Sequence, residues 1–201
     1  GIGQEKTQPV GLALRVLPPL LYGAGHPYAI PFSGTGSEAD IKALSAADLR
    51  AWQSAWLRPD NVRILVAGDT TLPEITAQLD AVFGDWQAPA AGKGAKSIPQ
   101  VAAQQKPRVF LIDKPGAQQS LILAGLLAPS TTAPNNLNIE TMNDAFGGLF
   151  SARLNMNLRE DKHWAYGAYS FSPGAVGQRP FLMYAPVQTD KTAESAAEHL
   201  P

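Results

Sequence analysis

Across Lys162 the apolar period of this chain changes from four residues to two. Before it, Phe150, Leu154 and Leu158 recur at i, i+4 and i+8, one stripe of a helix. After it, residues 165–172 alternate, with Tyr166, Ala168 and Ser170 on one face and Gly167, Tyr169 and Phe171 on the other. Residues 173–180 then read as a turn, and residues 181–188 as a strand that pairs back as a hairpin. A helix that feeds a hairpin excludes a pure bundle and a pure sandwich. It points to an α+β fold with a mostly antiparallel sheet.

The rest of the chain repeats the mixture. Pro18-Pro19 is expected to end the helix that precedes it, and residues 22–36 form a loop dense in Gly and Pro. Ser45 and Asp48 resemble a capping box, and Leu49, Trp52 and Trp56 follow at helical spacing, expected to face the core. Residues 58–61 are a turn and 62–67 (VRILVA) a strand. Thr71 and Glu74 form a second capping box with Pro73 in the first turn; Ile75, Leu79, Val82 and Phe83 make the stripe, and Gly84 is the stop. Strands are expected at 108–113 (RVFLID) and at 118–127, the latter apolar on both faces and so central. From about Leu137 helical spacing returns with Met142, Ala145, Phe146 and Leu149, interrupted by Gly147-Gly148, and a last helix begins at Thr189. Residues 1–201 read as one domain: a lead-in helix and loop (1–44), a first half (45–86), an exposed linker (87–107) and a second half (108–201). The start lacks an initiator Met and the end stops inside a helix, so both are expected to be cuts through a longer protein.

Composition removes several chemistries. A net charge of −1 without a basic face argues against nucleic acid. The absence of cysteine removes disulfides, thiolate metal sites and cysteine nucleophiles. No apolar run approaches the ~18 residues of a membrane span. A hydrolytic zinc needs three protein ligands, a water and a carboxylate base. Of the three histidines, His26 and His163 begin no HxxEH. His199 ends Ser195-Ala-Ala-Glu198-His199, where Ser195 stands at the first ligand position and cannot replace imidazole. No metal ligand set and no catalytic residue is therefore expected in this stretch of chain.

Two strong donors stand seven residues apart, Arg159 and Tyr166. Arg is a fixed-charge fork and Tyr a neutral phenol donor, and converging on one point they could hold a carbonyl or an oxyanion. By spacing alone they read as a solvated Arg and a half-buried strand Tyr. His26 reads as a hydrogen-bonded loop histidine, Trp52, Trp56 and Trp86 as packing residues, and Arg153 as an anchor of the glycine corner. Gly147-Gly148 reads as a kink or a close backbone approach, or as a ligand-cradling loop.

Three blocks occur in one order: GHPYAIPFSGTGSEADIKALSAADLRAWQSAWLRPDNVRILVAGD, then FGDW at Phe83-Gly84-Asp85-Trp86, then GGLFSARLNMNLREDKHWAYGAYSF. Together they resemble the pitrilysin/insulinase family of zinc metallopeptidases, in its non-catalytic C-terminal type of domain. The resemblance implies a roll of antiparallel sheet backed by helices on one face. It implies a zinc, in the parent protein, held by HxxEH on another domain, and none bound here. It also implies an Arg and a Tyr that hold the substrate beside that zinc, and these fall on Arg159 and Tyr166. One departure lies between them: His163-Trp164 stands where the family usually has Gly followed by Leu or Tyr. The implied partners are a peptide or small-protein substrate and an N-terminal catalytic domain, in the same polypeptide or on a partner subunit, in a bacterial and periplasmic setting. The same domain type also serves as a scaffold or regulatory subunit that binds peptide or partner subunits without hydrolysis.

Overall fold

The computed structural model of the protein describes residues 1–104 and 106–198. The chain divides into two compact units, Gly1–Glu38 with Ile98–Pro201, and Ala39–Ser97.

The larger unit is an α+β fold built on a three-stranded antiparallel sheet. Its strands are β1 (Gln119–Ala128), β2 (Tyr169–Phe171) and β3 (Arg179–Gln188), in the spatial order β1-β3-β2. The central strand is β3, flanked on both sides. The expectation that the 118–127 strand is central is corrected by this order: β1 has β3 on one side only. A continuous apolar run reports cover on both faces of a strand, not a partner on both edges.

Alternate residues of β3 serve two packing clusters. Met183, Ala185 and Val187 pack with Leu154, Leu158 and Ala168, with Ile122 and Ala124 beside them. Leu182 points the other way, to Leu21 and Tyr22 at the end of α2 (Pro9–Tyr22). Gly125 makes that second contact possible. A Cβ there would stand 3.0 Å from Leu182 Cδ2 and 3.2 Å from Leu17 Cδ2, so the helix settles where the strand has no side chain. Helix α2 follows a short α1 (Ile2–Glu5) and runs through Pro18-Pro19 instead of ending there. Pro18 cannot donate to the Leu14 carbonyl, and the Phe32 N–H takes its place at 3.1 Å.

Residues 108–113 join no ladder, and Leu111 is 90% exposed. The same holds for 62–67 in the smaller unit, where Leu65 is 88% exposed. Both expected strands are corrected. β-Propensity records how a residue fits a pleated, half-buried surface, and without a paired neighbour that preference forms no hydrogen-bonded ladder.

In the smaller unit, α3 (Glu38–Ala43) is followed by α4 (Ala46–Trp56) and α5 (Leu72–Phe83), and both capping boxes form. Ser45 Oγ accepts from the Asp48 N–H at 3.3 Å, and the Asp48 carboxylate accepts from the Ser45 N–H at 2.8 Å. The Glu74 carboxylate accepts from the Thr71 N–H at 2.9 Å. The apolar stripes they open are partly exposed, however. Leu49 and Trp52 are each more than half in solvent, which corrects their expectation of facing the core, and Val82 of the second stripe is exposed as well, while Trp56, Ile75 and Leu79 are half-buried. Periodicity names the apolar face of a helix and not what covers it. The 58–61 turn is a 3₁₀ turn (Pro59–Asn61) nailed by a buried Arg58, whose guanidinium reaches Asp60, Pro89 O and Ala91 O.

Candidate functional site

The glycine corner forms where a helix tightens against the sheet. α6 (Asn136–Asn143) widens into a π-turn, Asp144–Gly148. Gly147 is buried there, and a Cβ on it would fall 2.5 Å from Ser170 Oγ and 2.7 Å from the Ser170 nitrogen. Close backbone approach, one of the three expectations for this pair, is what the corner uses at Gly147. Ser170 in turn donates to Asn143 Oδ1 at 2.7 Å, closing the corner onto β2.

After the corner come α7 (Arg153–Asn155) and a second π-turn, Met156–Asp161, which carries Arg159. π-Turns inside helices commonly mark functional positions. Leu154 and Leu158 of the sequence stripe are fully buried against β3, whereas Phe150, the first of the stripe, is not. Between them lies Asn155, wholly buried, which donates to the Phe150 carbonyl at 2.8 Å and accepts from the Ala168 N–H at 3.1 Å. This amide joins the start of the Arg159 segment to the strand beyond Tyr166. The only hint of it in the sequence is a polar residue beside Leu154, on the buried side of the stripe.

The π-turn closes through His163, whose φ is +57°, the left-handed region that a glycine enters freely. The Lys162 N–H donates to Asn157 O at 3.0 Å and the Trp164 N–H to Leu158 O at 2.9 Å. Ala165 bridges to Val187, and Trp164 O accepts from the Gln188 N–H at 2.9 Å. Tyr166 lies between this bridge and β2. It is 83% exposed, so the half-buried strand position that spacing alone suggested is corrected.

The outcome is that Arg159 and Tyr166 meet: Arg159 Cζ lies 5.1 Å from the Tyr166 ring centroid and 4.6 Å from that of Phe150. Arg159 Nε pairs with Glu160 at 3.2 Å. Among the described residues no group takes a hydrogen bond from the two Nη atoms. The arrangement therefore offers a guanidinium edge beside an exposed phenol. It can donate to a carbonyl, a carboxylate or an oxyanion. Arg153 is exposed and forms no ion pair among the described residues, so its expected anchoring is not seen.

The other sequence candidates lie elsewhere. His26 stacks on Tyr22 at 4.9 Å, and both its ring nitrogens are engaged. Nδ1 accepts from the Tyr28 N–H at 3.0 Å, which leaves Nε2 as the donor to Pro99 O at 3.0 Å. That is the hydrogen-bonded loop histidine, with no lone pair left for a metal. Tyr22 is pushed up to about 12 by burial, with Tyr28 adding to it, and stays a neutral donor. His199 lies outside the described residues. Among those residues no three His, Asp or Glu side chains gather into a group that could hold a metal ion. Among the described residues no helix is long and apolar enough to cross a membrane.

Comparisons with known proteins bear on the same segment. Residues 43–200 match the family described as the Peptidase M16 inactive domain. An uncharacterized zinc protease of Streptomyces coelicolor is 28% identical over 153 residues, covering 75% of this chain and 33% of that protein. Another, from Bacillus subtilis, is 26% identical over 150 residues, covering 75% and 34%. In three dimensions the chain is similar to a crystal structure of a peptidase M16 inactive domain from Pseudomonas fluorescens. The TM-score is 0.85 at 26% identity, covering 98% of this chain and 46% of that one. A protease from Helicobacter pylori shares the fold at a TM-score of 0.77 and 20% identity, with 98% and 49% covered. The chain thus spans about a third of the length of these curated relatives.

Proposed function

Because the chain belongs to the peptidase M16 inactive-domain family, we propose that it is the non-catalytic domain of a zinc-dependent metallopeptidase, holding a peptide substrate beside a zinc site carried by another domain. The observation that carries this is the meeting of the Arg159 guanidinium and the exposed Tyr166 ring at 5.1 Å, on a turn pinned from below by Leu158 and Asn155. A donor pair fixed in this way suits binding and orientation. Arg159 holds the peptide by a carbonyl or carboxylate, and the Tyr166 hydroxyl donates to the reacting carbonyl as negative charge builds on its oxygen. The zinc and the base that activate water belong to the partner domain, whether on the same polypeptide or on a second subunit.

The test is substitution in the intact protease. Arg159→Ala and Tyr166→Phe are expected to impair peptide cleavage while zinc content and folding stay as in the parent. Full activity in both variants would overturn the assignment. Impaired peptide binding in an assembly that cleaves nothing would identify the domain as a scaffold or regulatory subunit instead.

A further inference from the structure

Phe150 breaks the stripe it begins. Leu154 and Leu158 go into the core, but Phe150 remains 55% exposed. Its ring is nonetheless engaged, and it lies nearer the Arg159 guanidinium than Tyr166 does, 4.6 Å against 5.1 Å. The two rings differ in how they are held. Tyr166 is 83% exposed, whereas the backbone of Phe150 is fastened through its carbonyl to Asn155, a wholly buried side chain. Glu160 pairs with the Nε side of the guanidinium at 3.2 Å, and among the described residues no group takes a hydrogen bond from its Nη atoms.

We propose that Phe150 is a positioning residue for Arg159: its ring, carried on a backbone that Asn155 fastens to the core, holds the guanidinium so that the Nη edge faces the peptide. This rests on Arg159 being a substrate-holding group. A surface arginine samples many rotamers, and a peptide that binds it must freeze them. A ring face attracts the guanidinium and narrows that spread before the peptide arrives. The contact acts on substrate capture and leaves the chemical step alone, so its signature falls on KM and not on kcat.

The experiment compares Phe150→Leu and Phe150→Trp in the intact protease, each with Arg159 present and with Arg159→Ala. Half exposure makes both side chains tolerable, and thermal unfolding of each variant checks this. With Arg159 present, Phe150→Leu is expected to raise KM roughly two- to fivefold, the range of an exposed cation–π contact, with kcat unchanged. Phe150→Trp, the stronger ring for such a contact, restores KM. With Arg159→Ala, Phe150→Leu has no further effect. An unchanged KM in Phe150→Leu, with Arg159→Ala impaired, overturns this proposal and leaves the role of Arg159 standing. An equal loss with and without Arg159 also overturns it, since the ring would then act on the fold alone. Full activity in Arg159→Ala would overturn the proposed function and this inference with it.

Discussion

His163 Nδ1 lies 3.0 Å from the carbonyl oxygen of Arg159, and His163 itself has a φ of +57°. A carbonyl only accepts, so Nδ1 carries the proton. The side chain thus makes a hydrogen bond from a backbone conformation that costs a non-glycine residue about 1–2 kcal/mol. This is how the chain closes the turn without a glycine and still delivers Tyr166 next to Arg159.

His163→Gly is therefore expected to differ little in stability from the parent, because the left-handed cost and the hydrogen bond are lost together. His163→Val, which loses the hydrogen bond and forces a β-branched residue into the same φ, should lose about 0.5–1.5 kcal/mol for the bond alone, with the added strain on top. Urea unfolding of the three proteins checks this, and a His163→Val variant as stable as the parent would refute it.

Asn155→Leu keeps the size of the buried side chain and removes both of its hydrogen bonds. The Ala168 N–H and the Phe150 carbonyl are then left without their partner, and the fully buried N–H bears most of the penalty. The expected loss is about 2–3 kcal/mol, read as a lower urea midpoint at unchanged slope.

Gly147→Ala places a methyl group against Ser170. Relief by trimming the Ser170 side chain is incomplete, because the backbone nitrogen stands 2.7 Å from the new Cβ. The variant should lose about 1–3 kcal/mol, and the double variant with Ser170→Ala should recover only part of it. Complete rescue would place the conflict at the hydroxyl alone.

Tyr166→Phe in the intact protease should lower kcat by about two orders of magnitude, the usual consequence of losing one oxyanion donor, worth ~2.7–4 kcal/mol. Tyr166 is 83% exposed, so the melting temperature should not move. The 201-residue chain by itself should cleave no peptide with zinc added; chelator-sensitive turnover by it would contradict the division of labour.

The Glu5 carboxylate accepts from Arg15 at 2.7 Å and from Thr35 at 3.0 Å, fastening the loop around residues 33–36 to the first helices. Hydrogen bonding from Arg15, above all, holds it below its ordinary value of 4.5. A lowered folded-state value means that its contribution is fully present above pH 4.5 and is lost as pH falls through the folded value. Asp48, Asp60 and Glu74 are lowered in the same direction by Ser45, Arg58 and Thr71, and they add to the same acid limb. Stability against urea should fall as pH drops below about 4.5, and Glu5→Gln should make that fall shallower. An acid limb identical in Glu5→Gln would remove Glu5 from the account.

Local chemistry was legible. Ser45 with Asp48, and Thr71 with Glu74, cap their helices as three-residue spacing requires, because a cap is made within one turn. The 181–188 hairpin strand and the burial of Leu154 and Leu158 follow from periods that any partner would satisfy. What failed depended on distant chain. Helix α2 continues through Pro18 because Phe32 supplies the missing donor. Residues 62–67 and 108–113 have strand composition and no ladder, and β1 lies at an edge.

The candidate site divides in the same way. By itself the sequence determined which donors are present, Arg159 and Tyr166, and that no histidine set accompanies them. Whether those donors meet was decided by tertiary structure. The buried amide of Asn155, the left-handed turn at His163 and the Ala165–Val187 bridge each join residues that one-dimensional spacing does not relate. Period and propensity report how a residue sits in its own element; the direction of an exposed side chain depends on how that element is closed against the next.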